Sequence, residues 1–186
     1  MRFVLTYDGV VPSSSSKNKQ RHMHSVRQQL HPQLKRQWEV EESLIAVAKR
    51  NGRSLVFPRE EFRFIPLVAK RLDLVCYLDI LMLRRQEPGQ FIRHGGDIDN
   101  QIKNLFDSLR VPDLGQVSNF APQQGETPFY CLLEDDALIT GLQLKTERLL
   151  EPAKTGEEDH VGLIMTVLVR PSKVTKRNLP FLGGWL

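Results

Sequence analysis

The chain of 186 residues has only two cysteines, Cys76 and Cys131, and both sit in apolar surroundings. Two such thiols exclude a disulfide framework and read as reduced core residues. Long hydrophobic runs are missing as well. No stretch approaches the ~20 apolar residues of a membrane helix. The segment Met1–Gly9 does not read as a signal peptide, because its short apolar run is broken at Asp8-Gly9. The expectation is a cytoplasmic protein with no membrane contact. A strong excess of one charge is also absent: 26 Lys plus Arg face 22 Asp plus Glu, a net charge of +4. That balance permits a polyanionic partner without demanding one. Internal repeats and a second domain are not visible either, so 1–186 reads as one domain.

What is present is a chain with 40% hydrophobic residues, enough for a real core. Period-two patterning and turn signals predict strands at Arg2–Tyr7, Phe62–Val68, Leu72–Leu83, Ala137–Leu150 and Val161–Arg170, with the last two expected as an antiparallel pair. Leu72–Leu83 is apolar on both faces, which predicts a central strand packed on both sides. Helices are expected from Pro32 to about Asn51, with a weak point at Glu39–Glu42, and from Asp99 to Leu109. Together these give a mixed α/β (α+β) class, a small twisted sheet with flanking helices. Three segments lack periodicity: a basic mobile loop at 10–25, an inserted loop at 111–130 and a basic C-terminal tail at 173–186.

The most informative stretch is Gly95-Gly96-Asp97-Ile98-Asp99-Asn100-Gln101-Ile102-Lys103. Asp97 and Asp99 flank a helix start, and Lys103 lies one turn after Asp99 on the same face. A second acidic cluster, Glu134-Asp135-Asp136, precedes an apolar run. Crowded carboxylates repel one another, and a divalent cation relieves the repulsion. Asp97, Asp99 and Asp136 can supply the hard oxygens that Mg²⁺ prefers, with Mn²⁺ as the alternative ion. Such an ion polarises a phosphate, and Lys103 can stabilise charge that develops there. Each half alone has an ordinary structural explanation: Asp-x-Asp-Asn is capping chemistry, and Asp99 with Lys103 is a surface i,i+4 pair.

The run from Gly96 to Leu109 resembles the signature of the RusA-like Holliday junction resolvases. Leu133-Glu134-Asp135-Asp136-Ala137-Leu138-Ile139 resembles the second acidic element of that family. The resemblance implies a Mg²⁺-dependent crossover junction endodeoxyribonuclease that cuts branched DNA, working as a homodimer in DNA recombination and repair. It implies metal ligation by Asp97, Asp99 and Asp136, an essential Lys103, a neighbouring acid at Asp135 and a recurrent motif residue at Asn100. No small-molecule cofactor is implied. The chain departs from the family in its greater length and in its long connection from Arg110 to Leu132. That insertion can close over the site, alter substrate choice or hold a partner. The alternatives are therefore a RusA-like nucleic-acid-binding module without cleavage, and a nuclease for flaps, forks or RNA.

Basic residues supply candidate phosphate contacts. Lys17, Lys19 and Arg21 belong to a segment that continues through His22, His24 and Arg27, while Arg84, Arg85, Arg93 and His94 lie nearer the acidic motif. Phe91 either stacks on DNA or packs at the sheet edge. In the tail, Phe181, Leu182, Trp185 and Leu186 are too apolar for a free surface. Packing within the chain is the preferred expectation, and a dimer interface the other.

Overall fold

A computed structural model describes residues 1–12, 18–85, 98–151 and 160–185. The fold is mixed α+β. Its described strands are β1 (Arg2–Gly9), β2 (Phe57–Arg59), β3 (Phe62–Val68), β4 (Leu74–Arg84), β5 (Phe129–Leu133), β6 (Ile139–Arg148) and β7 (Val161–Pro171). The described helices are α1 (Lys19–Val40), α2 (Glu42–Asn51) and α3 (Ile98–Leu109). Two mixed sheets result, one ordered β1-β7-β4-β6 and one ordered β2-β3-β5. Each contains one parallel pair, β4/β6 and β3/β5. Parallel strands need a long crossover, and α3 lies in the connection of both pairs. No helix among the described residues is long and apolar enough to cross a membrane.

The period-two reading of β4 holds: the strand lies inside its sheet, between β7 and β6. Its two faces differ, however. Cys76, Leu78, Ile80 and Met82 are buried, whereas Val75, Tyr77, Asp79 and Leu81 are only half-buried. The expectation of packing on both sides is thus corrected: among the described residues, one face is buried and the other only half-buried. β6 and β7 are antiparallel in sense but not paired, because β4 runs between them.

The helix expected from Pro32 begins at Lys19 instead, with Pro32 inside it. Residues 19–25 of the proposed mobile loop are helical. Met23, Val26, Leu30, Leu34 and Trp38 are buried and form the apolar stripe, but His24, Arg27 and His31 are buried beside them. Those polar residues mask the stripe in the sequence. The weak point at Glu39–Glu42 is a real break, with Glu41 extended between α1 and α2.

One flank of α1 lies along the free edge of β1. The Gln33 amide accepts from Thr6 N–H (3.0 Å) and donates to Thr6 C=O (2.8 Å). Gln29 does the same for Asp8, at 3.3 and 2.9 Å. The match is metric. Four helical residues rise about 6 Å, and two strand residues span about 7 Å. Two glutamines thus imitate a neighbouring strand and satisfy an edge that would otherwise invite pairing.

Two cores result. The larger lies under the inner face of the β1-β7-β4-β6 sheet and includes Leu105 and Leu109 of α3. Phe181 of the tail is buried in it, so that part of the tail packs within the chain. The smaller is aromatic: Phe62, Phe64 and Phe129 meet with ring centroids 5.1–5.7 Å apart, joined by Val111, Val117 and Phe120 of the inserted segment.

Replacing both Gln29 and Gln33 by Leu should lower the unfolding free energy by about 1–3 kcal/mol and make the chain self-associate through β1. Urea titration and sedimentation velocity read the two effects. A variant as stable and as monodisperse as the parent would remove the edge-capping role.

Candidate functional site

Asp99 lies on the first turn of α3, after Ile98, and is exposed, as is Lys103 one turn later. Among the described residues, neither side chain makes an ion pair, so the capping and i,i+4 explanations leave both groups unengaged. Asp97, together with Phe91, Arg93 and His94, lies outside the described residues, as does Lys17. The first turn of α3 is fastened to the end of β4 by Arg84, whose guanidinium donates to the Gln101 side chain (3.4 Å). The far end is fastened to β5, where Val111 N–H donates to Leu133 C=O (2.8 Å) and Arg110 bridges to Leu133.

The second acidic block follows β5 directly. Asp136 begins a 3₁₀ turn, Asp136–Leu138, that is in contact with α3. Its carboxylate is exposed. Asp135 is held differently. Lys70 Nζ donates to it at 2.6 Å, and its other oxygen caps the turn by accepting from Ala137 N–H (2.9 Å). The hydrogen bond from Lys70, then that from Ala137, holds the Asp135 carboxyl below its ordinary range. Glu134 accepts from the Lys70 backbone N–H (2.8 Å). Lys70 therefore cross-links this block to the end of β3. It lies 64 residues before Glu134, and no local pattern announces it.

This donor set suits a hard cation at Asp99 and Asp136, which carry accessible carboxylate oxygens. It suits one less at Asp135, which is already engaged. Among the described residues, no three His, Cys, Asp or Glu side chains are grouped so as to hold a metal ion. The set closes only with a further acid, and Asp97 falls outside those residues.

The candidate cations divide by environment. Arg21 is exposed and Lys19 half-buried on the first turn of α1. α1 packs along α3, with Arg27 donating to Asp107 C=O (2.8 Å), and Asn104 of α3 donates to Pro12 C=O (2.7 Å) in the segment after β1. Arg84 is buried and braces α3. Arg85 reaches the backbone carbonyls of Glu151 and His160. Asn100 is half-buried on the first turn of α3.

The inserted segment carries residues that sequence reasoning did not assign. Residues 111–128 lack regular structure but are anchored along one face of α1. Arg27 donates to Gln116 (3.2 Å) and Gln28 to the buried Glu126 (3.1 Å). His24 stacks on Phe120 with ring centroids 4.1 Å apart. His31 accepts from Tyr130 N–H through Nδ1 (2.9 Å), which leaves Nε2 to donate to Gly125 C=O (3.1 Å). Only the neutral imidazole with its proton on Nε2 can do both. At the segment's start, Arg110 bridges Asp107 (3.0 Å) and Asp113 (2.7 Å). Burial lowers the affinity of His24 and of His31 for a proton, and it pulls the Arg27 guanidinium down to about 10.

Both histidines are neutral in the fold, whereas the unfolded chain protonates them below a pH of about 6.5. The unfolded state then binds more protons, so stability is fully present above that pH and falls as the pH drops below it. The thermal midpoint should therefore decline from pH 7 to pH 5. His31→Gln combined with His24→Phe should flatten the decline, because the glutamine amide can both accept and donate without titrating. An unchanged slope in that variant would remove the histidines as its cause.

Comparison with protein-family models, with curated proteins and with solved structures finds no match to this chain.

Proposed function

We propose that this chain is a RusA-like, Mg²⁺-dependent endodeoxyribonuclease that hydrolyses phosphodiesters in branched DNA. The observation that carries the reading is the packing of α3, which bears Asp99 on its first turn and Lys103 one turn later, against the turn that begins at Asp136. Two acidic blocks that are distant in sequence thereby sit on touching elements. Among the described residues, Asp99 and Lys103 are in no ion pair, and Asp136 interacts only with the neighbouring Asp135 and Lys70.

In this reading Asp99 and Asp136, with Asp97, provide the oxygens that hold the cation. Magnesium, when bound, supplies a Lewis acid for the scissile phosphate and a more acidic water. Lys103 offsets the negative charge that grows on the phosphoryl oxygens. Lys70 keeps Asp135 occupied and thereby fixes the turn from which Asp136 projects. Arg21 and Lys19 contact backbone phosphates beyond the cut, which makes binding salt-dependent. A homodimer would nick opposed strands of a four-way junction symmetrically.

The test uses a labelled four-way junction with Mg²⁺, beside linear duplex. Asp99→Asn and Asp136→Asn should each reduce cutting by about 10³-fold or more, and Lys103→Ala by about 10²–10³-fold. Junction binding measured in Ca²⁺ should be retained in all three. Retained cutting by Asp99→Asn would end the assignment. Binding without cutting under any metal would leave a nucleic-acid-binding module, and equal rates on duplex and junction would exclude a resolvase.

A further inference from the structure

The outer face of the β1-β7-β4-β6 sheet lies on the far side from α3, and no helix among the described residues covers it. The strand registers define that face row by row. Arg2, Leu168, Tyr77 and Gly141 form one row, and Val4, Thr166, Asp79 and Gln143 the next. Val4 and Ile164 remain exposed on it.

Two features of this surface depart from an ordinary solvated sheet. The first is the placement of Tyr77. A Cβ at position 141 would come within 2.5 Å of the Tyr77 ring, so the ring lies over the glycine, and its hydroxyl donates to Gln143 (3.3 Å). The ring is thereby laid across β6. Its other side opens onto a cleft of about 530 Å³, within the range of small-molecule sites. The cleft is lined by Met1, Arg2, Glu41, Tyr77, Asp79, Thr166 and Leu168.

The second feature is Asp79. It sits in the middle of an interior strand, a position where aspartate is disfavoured. It is half-buried, and no described residue donates to its carboxylate. Leu168, Thr166 and the Tyr77 ring line the cleft with it, as does Arg2, which makes no ion pair with it among the described residues. A partly desolvated carboxylate beside an aromatic face favours a cation, by direct pairing and by attraction to the ring. Glu41 adds a second acid at the rim, where it accepts from Ser43 (2.8 Å). Arg2 is exposed, and the amino group of Met1 donates to Val169 C=O (3.1 Å).

We infer that this cleft binds a small organic cation, an ammonium or guanidinium group on an apolar body. The charged head pairs with Asp79, and the body lies between the Tyr77 ring and Leu168. The same chemistry argues against a second copy of the chain as occupant. Symmetric burial of the sheet face would desolvate Asp79 on both subunits, a cost that only a cation such as Arg2 of the other copy could offset.

Benzylamine is a suitable probe. Benzyl alcohol and benzoate share its ring but lack its positive charge. Calorimetric titration of the full chain should show saturable binding of benzylamine, with the two analogues weaker by about tenfold or more. Asp79→Asn should weaken benzylamine by about the same factor and leave the thermal midpoint unchanged, because Asp79 has no hydrogen-bond or ion-pair partner among the described residues. Tyr77→Leu should weaken it as well. Equal affinity for the three compounds, or unaltered benzylamine binding by Asp79→Asn, would overturn the inference. A dimer that Ile164→Arg converts to monomer would overturn it too, since a second copy would then occupy the face.

Discussion

The structure depends on α1 being held between the edges of two sheets. On one flank, the Gln29 and Gln33 amides complete the hydrogen bonding of β1. On the opposite flank, His31 accepts from the Tyr130 N–H at the edge of β5. Residues 29 and 33 share a helical face, and residue 31 points away from it. A single helix can therefore serve both edges. Because the contacts are to backbone groups, they fix the position of the helix along each strand as well as its distance. The apolar stripe from Met23 to Trp38 then fills the space between the sheets.

That placement governs the acidic blocks. α3 is tied at its start to β4 through Arg84 and Gln101, at its end to β5, along its side to α1 through Arg27, and through Asn104 to Pro12 after β1. With the helix tied to β4, β5 and α1, the backbone positions from which Asp99 and Lys103 project are fixed as well. The second block inherits its place from β5, and Lys70 steadies it. The exposed Lys70–Asp135 pair adds little stability, about 0–1 kcal/mol. Its effect is geometric, because it orients a turn that otherwise has few constraints.

Much of this was legible in the sequence. Strands that bury one face alternate visibly, so β1, β3, β4 and β7 could be read to within about two residues, and α3 announced itself by Ile102, Leu105 and Leu109. The start of α1 could not be read. Its buried His24, Arg27 and His31 resemble a solvated basic segment until the aromatic cluster and the inserted segment are in place around them. The pairing of β6 with β4 rather than β7 was hidden for a similar reason: strand order depends on where the crossover helix docks, and a local pattern carries no record of that. The acidic blocks were conspicuous by residue type and spacing. Lys70, which steadies one of them, was not, because nothing in its own neighbourhood distinguishes it from any surface lysine.

The contact between Tyr77 and Gly141 has a consequence at a distance from the two residues. A side chain at position 141 would lift the ring off β6 and turn it toward Leu168, because the strand leaves it no room on its present side. The smallest possible addition, one methyl group on a different strand, would therefore narrow a recess whose lining it never joins. The shape of that recess is thus governed by an atom the protein does not have.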